Sequence, residues 1–139
     1  MNRKELFELL GAPLTNFQWS WGAVRSEDGT VFLCVWRDKV RHHEGALIMP
    51  LTNFKRPDTT LGHRERVEHV RRIQSGARCY LIMCEAEDKN AQPRRLSTDF
   101  GSPEMFDGGR VLELNGEWWI EISPGPSIND LVLKATASI

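Results

Sequence analysis

A chain of 139 residues, 40% of them hydrophobic and with a formal net charge of −1, is long enough to bury a real core as one domain, residues 1–139, and needs no disulfide staples to do so. No apolar run approaches the roughly 20 residues that span a bilayer, and the charged start Asn2-Arg3-Lys4-Glu5 has no signal-peptide stretch, so a cytoplasmic protein without membrane contact is expected. The charge is unevenly spread: residues 55–78 carry Lys55, Arg56, Arg64, Arg66, Arg71, Arg72 and Arg78 against Asp58, Glu65 and Glu68. Such a patch permits contact with nucleic acid without requiring it, since a solvated helix face has the same composition.

In chain order, residues 3–10 form a short amphipathic helix stopped by Gly11 and Pro13, with Leu6, Phe7, Leu9 and Leu10 on its apolar side. Residues 19–26 and 31–37 are strand-like and flank Asp28-Gly29, which predicts a hairpin with a two-residue turn. In that register Trp21 faces Trp36, Ala23 faces Cys34 and Arg25 faces Phe32 on one side, while Gly22, Val24, Val31, Leu33 and Val35 share the other. The aliphatic side is an ordinary core. The aromatic side, with an arginine beside it, is either a second core or a stacking platform for a planar ligand.

A polar link, residues 41–45, leads to an apolar strand over 46–51 and a loop over 52–60 that ends on a capping threonine, Thr59 or Thr60. Residues 61–74 predict a helix on which Arg66, Val67, Val70, Ile73 and Gln74 share a side, with Arg64, Glu68, Arg71 and Arg72 off it and Gly76 as terminator. Residues 79–84 are continuously apolar, as expected of a strand buried on both faces at the middle of a sheet. A polar loop over 85–95, a short strand over 96–100 and a turn-rich stretch over 101–109 follow. Asn115-Gly116 then predicts a second two-residue hairpin, pairing Glu113 with Trp118, Val111 with Ile120, Leu112 with Trp119 and Arg110 with Glu121. The fold class is α+β: a curved, mostly antiparallel sheet or partly open barrel of about six strands, with an N-terminal helix and one central basic helix.

No cofactor or metal is expected. His63 and His69 lie about 240° apart around a helix, Cys79 and Cys84 face opposite sides of a strand, and Cys34, Cys79 and Cys84 read as reduced core thiols. His42-His43-Glu44 has no partner visible in the sequence, and Gly108-Gly109 is too short to cradle phosphate. A metal-dependent nuclease needs paired carboxylates and a lysine; Asp58, Glu87 and Lys89 have roughly that spacing, but on a loop and a strand end.

A binding pattern is left. Aromatics on a sheet face, a cationic helix and a polar loop are the ingredients for stacking a base while basic side chains touch phosphate. The run from the basic helix through Ser75-Gly76 into Cys79-Tyr80-Leu81-Ile82-Met83, with its two flanking hairpins, resembles in arrangement the PUA-like β-barrel superfamily that includes EVE, ASCH and SRA domains. The resemblance implies a reader of a base, often a modified one, through an aromatic pocket, of the kind found beside restriction nucleases. The N-terminal helix departs from that pattern, and no base-flipping loop signature is present.

The expected site is therefore Trp19, Trp21 and Trp36 as stacking surfaces, Tyr80 as a wall, and Asn53, Lys55, Arg56, Arg64, Arg71 and Arg72 on polar edges or phosphate. The expected partner is nucleic acid, DNA ahead of RNA. The alternative is a non-catalytic protein-interaction or immunity-type domain that docks through an exposed strip of Leu112, Leu114 and Trp119.

Overall fold

The computed structural model describes residues 2–53, 60–84 and 104–132. Its elements are helix α1 (Arg3–Leu9), strands β1 (Gly22–Val24) and β2 (Val31–Trp36), a 3-10 turn (Arg37–Lys39), β3 (Arg41–His43), β4 (Ala46–Asn53), helix α2 (Leu61–Gln74), β5 (Cys79–Cys84), β6 (Met105–Leu114), β7 (Glu117–Pro124) and the short helix α3 (Ile128–Leu131). The seven strands form one mixed sheet in the order β1-β2-β5-β6-β7-β4-β3. β2 and β5 run parallel, and every other neighbouring pair is antiparallel.

The fold class is α+β, as the sequence indicates. β2 and β4 touch across the concave side although β5, β6 and β7 separate them in the sheet, and α2 packs against β1, β2 and β4. The sheet is curled with α2 in its opening, and among the described residues it does not close, because β1 and β3 remain its two edges.

Both faces of β2 and β5 are buried. Val31, Leu33, Val35, Cys79, Leu81 and Met83 point into the curl with Met49, Ile120, Ile122 and the α2 residues Val70 and Ile73. Phe32, Cys34, Tyr80, Ile82 and Cys84 point outward, where α1 covers them with Leu6, Phe7 and Leu10 and α3 with Leu131. All six residues of β5 are buried, as expected of a central strand. The aromatic side of the first hairpin is thus a second core over most of its length, with Trp21 and Trp36 packed at its margin.

The first hairpin departs from the expected turn. The observed pairs are Gly22 with Leu33, Ala23 with Phe32 and Val24 with Val31, so β1 begins only at Gly22 and the register is displaced by two residues. Arg25 N–H donates to Thr30 O at 2.8 Å, and Ser26–Gly29 becomes a four-residue loop. The cause is Asp28. Its carboxylate accepts from Arg25 Nε at 3.1 Å, Arg25 Nη2 at 2.8 Å and Thr30 N–H at 3.0 Å, so Asp28 serves as an acceptor inside the loop instead of leading a tight turn. Because the displacement is even, every side chain keeps its expected face.

The Asn115-Gly116 hairpin has its two-residue turn and expected register, with both residues at positive φ, 51° and 82°. Arg110 and Glu121 form an ion pair at 3.4 Å. Residues 41–45, expected as a link, are β3 and a two-residue turn at Glu44-Gly45 (φ 48° and 82°). Residues 105–109, expected as turns, begin β6. A Cβ at Gly108 would stand 2.8 Å from Ile120 Cδ1 and 3.1 Å from Cys79 Cβ, so glycine here lets neighbouring strands close up, and a register shift follows before Val111. Thr52 and Asn53 extend β4 instead of opening a loop. The strand expected over 96–100 and the loop over 85–95 lie outside the described residues.

Arg25 joins the two ends of the domain. It is 6% exposed, lies 5.2 Å from the Phe32 ring centroid, and donates through Nη1 to Leu10 O and Leu131 O, at the ends of α1 and α3. Replacing it with methionine keeps the apolar stem but strands both carbonyls and Asp28. A loss of about 2–4 kcal/mol is expected, seen as a fall in Tm of roughly 10 °C; an unchanged melting curve would deny Arg25 this role.

Candidate ligand cleft

Where the curled sheet is held open by α2, a cleft of about 380 Å³ lies between β2 and β4. Trp21, Cys34, Val35, Trp36 and Lys39 form one wall and Pro50, Leu51 and Thr52 the other, while α2 contributes Gly62, His63 and Arg66. Each wall has a local cause. β4 shifts register between Pro50 and Thr52, where proline cannot donate to the ladder, and the strand bends there. Thr60 caps α2 by accepting from His63 N–H at 3.2 Å, and this sets the helix's first turn against the cleft. Thr52 Oγ1 lies 3.2 Å from His63 Nδ1 and joins the strand to the helix.

Trp21 and Trp36 meet at the cleft although they are not directly opposite in the ladder. Their ring centroids are 5.5 Å apart and their planes inclined by 50°. Rings in such contact leave no slot between them, so a planar ligand stacks beside the pair and is not sandwiched by it. The Arg3 guanidinium lies 4.1 Å from the Trp21 centroid, a cation–π contact through which α1 covers part of this tryptophan.

Arg66 supplies the strongest charge in the cleft. Its Nη2 donates to Cys34 O at 2.8 Å and Trp21 O at 3.2 Å, holding β2 and the chain entering β1 against the helix. Burial pulls its pKa below the ordinary guanidinium value, yet an arginine stays charged at neutral pH. Beside it, Glu65 accepts from Ser20 Oγ at 3.1 Å, and Ser20 Oγ accepts from Asn16 N–H at 3.0 Å, tying the segment that carries Trp19 and Trp21 to α2. Burial raises the pKa of Glu65, opposed by the hydroxyl hydrogen bonds it accepts.

The site residues expected from sequence divide sharply. Trp21 and Trp36 line the cleft. Trp19 is half-buried beside it, its carbonyl 3.1 Å from where a Cβ on Gly62 would lie. Tyr80 is not in the cleft: it is buried in the outer core, stacked on Phe32 at 5.9 Å, and its hydroxyl accepts from Arg78 at 3.3 Å. Three residues of β5 separate it from Cys84, the neighbour of Trp36. Arg64, Arg71 and Arg72 are exposed on the side of α2 turned from the sheet, and Arg72 pairs with Glu68 at 3.7 Å. Asn53 ends β4 opposite Glu117. Its side chain, together with Lys55 and Arg56, lies outside the described residues.

Sequence reasoning passed over Lys39, Thr52, His63 and Arg66 as site residues. A signal for Arg66 existed, since it sits on the apolar stripe of α2, where an arginine needs something polar inside the fold to meet it.

The alternative sites fare differently. Trp119 is 5% exposed beneath the Arg41 guanidinium, which lies 4.8 Å from its ring centroid, and Leu112 and Leu114 are half-buried. The expected exposed strip is therefore absent at its tryptophan: the alternation of β7 turns Trp118 toward the inner core and Trp119 to the other face, where Arg41 covers it. Asp58, Glu87 and Lys89 lie outside the described residues. Among the described residues no group of His, Cys, Asp and Glu side chains is placed to hold a metal ion, and no helix is long and apolar enough to cross a membrane. Cys34, Cys79 and Cys84 are free and buried, with Cys79 and Cys84 on opposite faces. Burial pushes the Cys79 thiol up to about 12, and the Cys34 thiol is raised by hydrogen bonding to Cys84 and by burial.

Fold and cleft together define an open, curled α+β sheet with an aromatic and cationic cleft at its helix-filled mouth. Comparison of the chain with protein-family models, curated proteins and solved structures finds no match.

One turn along α2, His69 is 6% exposed and packs against β1, its Nδ1 3.2 Å from where a Cβ on Gly22 would lie. Burial, reinforced by Arg66 and Arg72, lowers its pKa from 6.5 to about 4. The unfolded chain therefore binds this proton at higher pH than the folded protein does. The stabilising effect of the neutral ring is whole above pH 6.5 and is lost as pH falls toward 4, by about 3 kcal/mol. Chemical denaturation from pH 7 to 4 measures it, and His69→Gln is expected to flatten the decline; a variant with the wild-type slope would rule His69 out as its source.

Proposed function

We propose that the protein is a nucleic-acid-binding module that takes one nucleotide unit into the cleft, its base stacked beside Trp21 and Trp36 and its polar atoms met by Arg66, His63 and Lys39. The observation that carries this reading is the juxtaposition, in one concave site, of two tryptophans with a part-buried arginine. Aromatic faces with adjacent cations are the combination that stacking on bases uses. The curled, mostly antiparallel sheet with a basic helix in its mouth supports the likeness of arrangement to PUA-like modules, and with it a reader of a plain or modified base, in DNA ahead of RNA, in the cytoplasm. Arg64, Arg71 and Arg72 lie away from the cleft, so their part is limited to the phosphates of flanking nucleotides.

Titration of the full chain with single-stranded and duplex oligonucleotides, methylated and unmethylated, followed by tryptophan fluorescence, tests the reading. Quenching is expected, and Trp36→Leu is expected to weaken binding about tenfold or more, since one base stack contributes roughly 1–3 kcal/mol. Replacing Arg64, Arg71 and Arg72 together with alanine should lower the log–log salt slope by about 2–3 at most while quenching persists. A wild-type protein that no oligonucleotide quenches, or a well-folded Trp36→Leu variant with undiminished affinity, would defeat the proposal.

A further inference from the structure

The side chains that line the cleft carry charge of one sign only, from Arg66 and Lys39. Arg66 is met by two backbone carbonyls, and among the described residues no carboxylate lies within ion-pair distance of it. The contrast with Arg25 is direct, because that buried arginine has the Asp28 carboxylate at 2.8 Å. Arg66 is part-buried, and the neighbouring Glu65 acts on it at a distance without an ion pair, so an anion entering the cleft meets a cation that no carboxylate contacts directly. Two further features have the same sign. Gly62 and His63 bring the first turn of the 14-residue helix α2, the positive end of its dipole, onto the cleft, and Lys39 stands on the opposite lip. No aspartate or glutamate is among the residues lining the cleft.

We infer that the cleft holds a phosphate site, and that the ligand binds with a phosphate monoester at Arg66, the first turn of α2 and Lys39 and its base against Trp21 and Trp36. The inference rests on the nucleotide reading of the cleft and narrows it. A phosphodiester carries one negative charge and a phosphate monoester nearly two. Two cations and a helix N-terminus with no lining carboxylate suit the monoester, so the ligand is the phosphorylated end of a strand or a free mononucleotide.

The test compares otherwise identical single-stranded oligonucleotides carrying a 5′-phosphate, a 3′-phosphate or free hydroxyl ends, and a nucleoside 5′-monophosphate with its nucleoside, by tryptophan fluorescence of the full chain. Inorganic phosphate serves as competitor. A phosphorylated end is expected to bind at least tenfold tighter than the hydroxyl form and to be displaced by inorganic phosphate. Arg66→Gln is expected to abolish that difference, and Arg66→Lys to keep part of it. Because Arg66 also holds two carbonyls, Lys39→Ala, on the exposed lip, gives a second reading that spares the fold, and it too should narrow the difference. Preference for the phosphorylated oligonucleotide over the mononucleotide assigns the strand end, and the reverse assigns the free nucleotide. Quenching by phosphorylated and hydroxyl forms with equal affinity overturns the phosphate site and leaves the nucleic-acid reading standing. Binding of inorganic phosphate alone, with no nucleotide or oligonucleotide bound, upholds the phosphate site and overturns that reading, and no response to any probe overturns both.

Discussion

The parallel pairing of β2 with β5 is the constraint from which the rest of the architecture follows. Two parallel neighbours cannot be joined by a tight turn, so the chain between Trp36 and Cys79 has to travel from one end of the pair back to the other. Here that crossover contains the β3–β4 hairpin as well as α2, and the hairpin joins the same sheet at its far side through β7. A sheet whose crossover is also its far edge has to curl until β4 comes back beside β2, and α2 is left lying in the mouth. The cleft is what the curl and the helix leave unfilled. Its walls are the two strands that the crossover brings together.

The curl also explains why aliphatic and aromatic residues are sorted by face on β2 and β5. The inner face is lined by Val31, Leu33, Val35, Leu81 and Ile120, compact side chains suited to a concave surface around a helix. The outer face of the same strands carries Phe32 and Tyr80, which α1 and α3 cover from outside. Trp21 and Trp36 lie where these two helices cease to cover the sheet and α2 begins, so they belong to a core on one side and to a cleft on the other.

Two arginines, Arg25 buried and Arg66 part-buried, divide the polar work of the interior. Arg25 and Arg66 each donate to two backbone carbonyls that belong to no strand ladder with them, and each thereby joins segments distant in sequence. They differ in compensation. Asp28 neutralises Arg25 and is itself held well below the usual carboxylate range by it, which makes that site a closed structural joint. Arg66 has carbonyl dipoles and no ion-paired carboxylate, Glu65 acting on it only at a distance, and it lines the cleft. Dipoles satisfy hydrogen bonding but leave net charge, and this difference separates a joint from a candidate binding group.

Much of the fold is legible in the sequence because it depends on local pattern. Period-two alternation assigns the faces of β1, β2, β6 and β7, and these assignments survive even where the Asp28 loop displaces the register, since an even displacement preserves facing. The continuous apolar run of β5 marks a strand covered on both sides, and the Thr59-Thr60 pair marks the start of α2, which Thr60 caps. β3 was hidden because three polar residues at a sheet edge carry no burial signal. Of the candidate site, Trp21 and Trp36 were visible as aromatic neighbours on one face. Tyr80 could not be separated from them by pattern, because shared facing says nothing about distance along a strand or about which helix lies above. Lys39, Thr52 and the α2 pair His63 and Arg66 come from three separate stretches, and only the curl that returns β4 to β2 brings them together. The sequence by itself determines which elements form and which way their side chains point, since those depend on backbone geometry within a few residues. The meeting of strands far apart in the chain, and with it the cleft and its charge, is decided only by tertiary structure, because it depends on a crossover whose path no local period records.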